Sequence, residues 1–148
     1  MADHAVSTGR NTPIWFWIVA VLATLFNTGG VMNYLVTVFD PQAATAGLTA
    51  EQADYFLNFP AWYTAVYALT THLSLAGGVL LLLRMKWAFH AFAAAIVLYA
   101  ISLAYHYLLN DVVATLPAGM HVFSAVIGLQ LVGFAIFARW ATKAEILR

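Results

Sequence analysis

The sequence predicts an all-α membrane protein built as a bundle of four transmembrane helices, and three observations predict it. First, 64% of the 148 residues are hydrophobic and only 8% are charged, against about 25% charged in an ordinary soluble domain. Second, the charged residues divide the chain into four apolar stretches, each long enough for the roughly 20 helical residues that cross a hydrocarbon core of about 30 Å. Third, all six Lys and Arg residues fall on one side of the resulting topology. They balance six Asp and Glu, which leaves no basic face for nucleic acid. With no cysteine, disulfides, thiolate metal sites and cysteine nucleophiles are excluded.

The first span is expected over residues 13–39, opening at Pro13 and becoming more polar through Asn27-Thr28-Gly29-Gly30. Ala44-Thr45-Ala46 looks like a cleavage site after it, but a signal core has about 7 to 15 residues and this run is far longer, so a retained helix is expected. Residues 40–59 form the one sizeable outer loop. Within it Thr49 is a plausible helix N-cap followed by acids in the first turn, predicting a short interfacial helix with Leu48, Tyr55, Phe56 and Phe59 on one face. A connector lying against the headgroups is the expectation, and a cover over the bundle mouth the alternative. The second span, 60–83, and the third, 87–109, are joined by Arg84-Met85-Lys86 alone, so they form an antiparallel hairpin. The fourth is expected over 116–138, ending before Arg139.

Cytoplasmic loops collect Lys and Arg. Arg10, Arg84, Lys86, Arg139, Lys143 and Arg148 share one side, whereas Asp40, Glu51, Asp54 and Asp111 occupy the other. Both termini are therefore placed in the cytoplasm. Trp15, Trp17, Trp87 and Trp140 at that side, and Trp62 at the other, fit the two aromatic belts. The glycines of the spans (Gly29-Gly30, Gly77-Gly78, Gly128 and Gly133) are read as points of close helix approach. A loose similarity relates the halves, with Gly78 six residues before Arg84 and Gly133 six before Arg139.

Polar groups inside a membrane are costly and are the natural functional candidates. No Asp, Glu, Lys or Arg lies within a span core, which argues against an antiporter built on a buried carboxylate. Asn27, Asn33, His72 and Gln130 form the candidate substrate-binding set, because Asn27, His72 and Gln130 are expected near mid-membrane and could line a central polar cavity. The same groups equally describe interhelical hydrogen bonding. His106 and His121 fall at similar depth on helices joined by the loop carrying Asp111. Two imidazoles at one depth could hold haem b, or a metal ion with Asp111 as third ligand. No cofactor is the expectation, since a metal site normally recruits more ligands, and hydrogen bonding to Tyr, Asn or backbone accounts for the pair. Nucleophile-elbow, P-loop and dinucleotide motifs are missing from the sequence.

At Trp15 to Tyr34 (WFWIVAVLATLFNTGGVMNY), at Phe59-Pro60-Ala61-Trp62 and at Leu80 to Ala88 (LLLLRMKWA), the chain resembles a family of small four-helix proteobacterial membrane proteins often labelled "sugar transporter". The resemblance covers roughly the first ninety residues. It implies a multi-pass protein of the bacterial inner membrane, in which transport would need an oligomer, since four spans lack the inverted repeats of typical carriers. From the residues themselves, the leading expectation is a non-catalytic accessory or scaffold subunit of a larger membrane assembly. Its partners would be the bilayer and other membrane subunits or further copies of itself. A small-solute transporter or binding protein using the polar seam, and a haem or metal protein using His106 and His121, are the alternatives.

Overall fold

The computed structural model describes residues 12–148, and Arg10 lies outside them. Six α-helices and one 3-10 turn follow in order: α1 (Ile14–Phe39), α2 (Pro41–Ala44), α3 (Ala50–Leu57), α4 (Ala61–Leu82), α5 (Trp87–Leu109), the turn Asp111–Thr115, and α6 (Ala118–Lys143). Four of them, α1, α4, α5 and α6, are long and apolar enough to cross a membrane. The protein is thus a multi-pass integral membrane protein, a four-helix bundle whose exposed Ile, Leu, Val and Phe side chains meet lipid.

Proline starts three of the four spans. Pro13, Pro60 and Pro117 each hold extended backbone immediately before the first helical residue, where a missing N–H leaves no intrahelical partner unsatisfied. The span bounds agree with the sequence to within two residues except at the end of α6, which runs five residues past the expected stop, to Lys143. Basic side chains do not end a helix at a membrane surface, because their long stems carry the charge outward. Arg139 instead lies over the Phe89 ring at 5.8 Å.

The end of the bundle that carries Arg84, Lys86 and Arg139 is solid. Here α4 and α6 finish in the same way. The Met85 N–H bonds the Leu80 carbonyl at 2.8 Å and the Arg84 N–H bonds that of Leu81 at 2.9 Å; Ile146 and Glu145 repeat this on Ala141 and Thr142 at 3.0 and 3.1 Å. These are Schellman closures, made with Arg84 and Glu145 at φ 58° where glycine is usual. The structural counterpart of Arg84 is therefore Glu145. The chain after α6 then crosses the α4–α5 turn: the Arg148 N–H bonds the Arg84 carbonyl at 2.7 Å, the Lys86 N–H bonds the Arg148 carbonyl at 3.0 Å, and the Arg84 Nε bonds the Ile146 carbonyl at 3.0 Å. Ile146 and Leu147 are buried under it.

Close packing at this end depends on small residues. Ala20, Ala23, Ala88, Ala95, Ala138 and Ala141 are buried around Phe16, Leu81 and Phe92. A Cβ at Gly77 would stand 2.8 Å from the Phe92 ring of α5, and one at Gly78 would stand 2.9 Å from the Thr24 Cα of α1. Those two glycines bring α4 against both neighbours. At Gly128 a Cβ would meet the Tyr99 ring at 3.2 Å, whereas Gly29 and Gly133 face open space and Gly30 meets only the Thr71 methyl at 3.9 Å. The expectation of close approach therefore holds for Gly77, Gly78 and Gly128 and is corrected for the other three. The seam between α1 and α6 is closed at this end by rings, with Trp15 4.8 Å from Trp140 and Phe16 stacked on Phe137 at 5.6 Å.

This division predicts unequal responses to one added methyl. Gly78→Ala places an atom against backbone and should destabilise by about 1–3 kcal/mol, whereas Gly133→Ala should be neutral or stabilising by up to about 1 kcal/mol through helix propensity. Thermal unfolding of the two variants in one detergent, followed by circular dichroism, checks the ordering.

Candidate functional site

Beyond Gly77 and Gly78 the helices part, and the opposite half of the bundle encloses a cavity of about 760 Å³. All four spans line it, together with α2, the end of α3 and the 3-10 turn. Among the described residues its lining contains no Asp, Glu, Lys or Arg. The volume lies within the usual range for small-molecule pockets, about 300–1,000 Å³.

The floor is a polar rung between α1 and α6. Gln130 Nε2 donates to Asn27 Oδ1 at 3.3 Å, and Asn27 Nδ2 donates in turn to the Ala23 carbonyl at 2.7 Å. Gln130 Oε1 is buried with no hydrogen-bond partner. A buried unpaired acceptor costs about 1–3 kcal/mol, which a donor placed beside it would recover. Asn33 lies higher on α1, with its Nδ2 2.8 Å from the Tyr67 hydroxyl of α4.

The wall is lined by hydroxyls. Thr70 donates to the Val66 carbonyl at 2.8 Å, Ser74 to that of Thr71 at 2.9 Å and Ser102 to that of Leu98 at 3.2 Å, while Thr71 shares its proton between the Tyr67 and Ala68 carbonyls at 3.1 and 3.0 Å. Each hydroxyl has a single proton, and each places it on its own helix. Each oxygen keeps acceptor capacity, in a residue that lines the cavity. Across from them Tyr99 bonds the Ser124 carbonyl at 2.6 Å.

The mouth is covered by α3. Its start is fixed as the sequence predicts: the Thr49 hydroxyl accepts from the Gln52 N–H at 3.3 Å while Gln52 Oε1 accepts from the Thr49 N–H at 3.1 Å, a reciprocal capping box. Gln52 also reaches across to the Thr115 carbonyl at 2.7 Å. Phe56, Leu57 and Phe59 form part of the cavity lining, so the helix packs on the bundle and is not merely a connector; α2, capped by Asp40 at 3.1 Å, precedes it. A knot of rings holds α3 down, with Phe59 4.5 Å from Tyr63 and Tyr63 4.7 Å from Tyr105.

His106 sits in that knot. Its Nδ1 bonds the Tyr55 hydroxyl of α3, and its Nε2 lies 2.5 Å from the Tyr63 hydroxyl of α4. A neutral imidazole has one N–H and one bare nitrogen, so one tyrosine donates to the ring and the other accepts from it. The ring thus ties three helices together. Burial, with the neighbouring Tyr105 second, pushes the Tyr55 pKa above the usual tyrosine range.

Of the sequence-predicted site residues, the cavity lining includes Asn27, Asn33, Gln130, His106 and His121. His72 is not among them. It is exposed on the outer surface of α4, where its Nδ1 is 2.7 Å from the Ala68 carbonyl and its ring stands edge-on to Tyr34 at 5.7 Å. Successive helix positions turn by about 100°, which carries His72 away from the face held by Thr71. His121 bonds the Tyr107 hydroxyl through Nδ1 at 2.8 Å, and Asp111 is exposed at the start of the 3-10 turn, outside the lining. Both nitrogens of His106 are engaged, so ligating haem or a metal would require it to release a tyrosine. Among the described residues no group of three His, Asp or Glu side chains could hold a metal ion.

Sequence reasoning missed Tyr63, Tyr67, Tyr99 and Ser102 as lining residues. Tyr63, Tyr67, Thr70 and Ser74 follow one another at intervals of four, three and four along α4, and Tyr99, Ser102 and His106 at three and four along α5. Those intervals mark one helix face. No protein-family model matches the chain, and the searches of curated proteins and of solved structures return no match.

The Tyr55–His106 contact predicts how α3 opens. Tyr55→Phe removes one hydrogen bond, about 1 kcal/mol, so hydrogen exchange in α3 should rise roughly fivefold while α4 and α5 are unchanged. Docked α3 holds the Tyr55 proton more tightly than released α3. Its closure is therefore fully favoured below pH 10 and weakens as pH climbs beyond that in the wild type. In Tyr55→Phe, exchange corrected for its intrinsic pH dependence should lack this loss.

Proposed function

We propose that this membrane protein is a small-molecule binding protein whose occupant is uncharged and sits in the cavity between the four spans. The observation that carries the reading is the combination of drug-sized volume, a lining without formal charge, and an unpaired buried acceptor at Gln130 on the floor. An apolar pocket with a few convergent polar groups is the common form of a ligand site, and a charged ligand would enter this one without a counter-charge, at high desolvation cost. The placement of Asn27, Asn33 and Gln130 in one cavity supports the solute-binding alternative, as does the resemblance to proteins labelled sugar transporters. Transport would use several copies, since a single four-helix bundle has no inverted repeat to rock about the site. The accessory-subunit role draws on the exposed apolar faces of the helices, which lipid covers in any such bundle, so the cavity separates the two. Residence in a bacterial inner membrane is part of the same proposal, resting on the charge asymmetry and the resemblance.

Thermal unfolding in the presence of uncharged hydroxylated compounds, including hexoses, glycerol derivatives and long-chain alcohols, tests it. At least one compound should raise the melting temperature saturably in the wild type. The paired variant Asn27→Leu/Gln130→Met, which removes both partners of the rung and should fold with near wild-type stability, should lose that shift, whereas His72→Ala should keep it. A shift that survives in the paired variant, or none from any compound, contradicts the reading.

A further inference from the structure

Two features of the cavity go beyond its size and neutrality, and both build on the binding reading above. The first is the polarity of its hydrogen-bonding groups. Thr70, Thr71, Ser74 and Ser102 are buried and have placed their protons on backbone carbonyls, Asn27 Oδ1 accepts, and Gln130 Oε1 waits for a donor. The middle of the cavity is therefore richer in acceptors than in donors and complementary to O–H or N–H groups, with the Tyr67 hydroxyl, which accepts from Asn33, left to donate beside it.

The second feature is where the cavity reaches the surface. Beyond the Asn27–Gln130 rung, no hydrogen bond or ring contact joins α1 to α6 among the described residues; their ring contacts all involve Trp15 or Phe16, at the other end. The lining there includes Leu25, 64% exposed, Phe26, 41% exposed, and Phe123, 56% exposed. Leu25 stands eleven residues into α1, about 16 Å from its start, at a depth where the surrounding medium is hydrocarbon. Meanwhile α3 covers the aqueous mouth.

We propose that the occupant is an uncharged, membrane-dissolved amphiphile with a hydrogen-bond-donating head, a hydroxylated lipid-phase molecule, which passes sideways between α1 and α6 and sets its hydroxyl against Gln130. The apolar part of such a molecule fits between Leu25, Phe26 and Phe123.

Photolabelling of the full chain in phosphatidylcholine vesicles tests this with three diazirine probes: a 1-O-alkylglycerol with two free hydroxyls, its dimethyl ether, and a water-soluble hexose. Labelled peptides are located by mass spectrometry. The diol should label the cavity-lining parts of α1 and α6 at least tenfold more than the diether, and Gln130→Met should cut that labelling at least fivefold. Leu25→Trp, which places a ring in the gap, should slow labelling while leaving the melting temperature unchanged. If Gln130→Met does not fold, Asn27→Leu/Gln130→Met serves in its place, and the comparison of diol with diether needs no variant. Equal labelling by diol and diether, or diol labelling unaltered by loss of the rung, overturns the proposal. Cavity labelling by the hexose alone overturns it while leaving the binding reading intact, and failure of all three probes to label the cavity of a folded protein overturns both.

Discussion

A hydroxyl in hydrocarbon cannot leave its proton unbound, and in this protein that constraint decides the character of the interior. The nearest acceptor for Ser or Thr on a transmembrane helix is the carbonyl three or four residues back. Thr70, Thr71, Ser74 and Ser102 all use it. Bonding inward to their own helices, they place these protons locally and not between helices. What they contribute is acceptor capacity around a space that the helices do not fill, with an amide oxygen of Gln130 unmatched at its base.

The bundle can afford that space because its other half is packed without one. Gly77 makes room for the Phe92 ring of α5 and Gly78 for the α1 backbone at Thr24, a line of buried alanines keeps the helices close, and Trp15, Phe16, Phe137 and Trp140 close the α1–α6 seam. The chain after α6 fastens the α4–α5 turn through Arg84 and Arg148. In lipid, where no hydrophobic force drives helix association, such close contact and interhelical bonding supply the cohesion. The hollow half is finished by a different device, a short capped helix held over the mouth by Tyr55, Phe59 and their bonds and ring contacts with Tyr63 and His106.

The four spans, their order and the helix beginning after Thr49 were legible in the sequence because each depends on local signals: apolar length, charge at the borders, a capping pattern. Depth was legible too, since it follows from counting residues, and it placed Asn27 and Gln130 at a common level, where they meet. Rotation about the helix axis was not. A span that is apolar on every side carries little information about which face turns inward, and the sequence groups His72 with Thr70, Thr71 and Ser74, of which only His72 turns away from the cavity. The partners of His106 come from α3 and α4, brought together by tertiary packing that no short motif encodes. The polar positions of α4 and α5 did carry a readable signal in their intervals of three and four.

The account depends most on the claim that the hollow half holds an uncharged molecule. Native mass spectrometry of the protein released from mild detergent, with the Asn27→Leu/Gln130→Met variant alongside, tests that claim most directly. The account predicts a stoichiometric adduct on the wild type that carries no formal charge of its own when recovered by solvent extraction, and a bare chain for the variant. A bare wild-type chain in which the cavity also stays empty when uncharged hydroxylated lipids are supplied, or an adduct retained equally by both proteins, would contradict it.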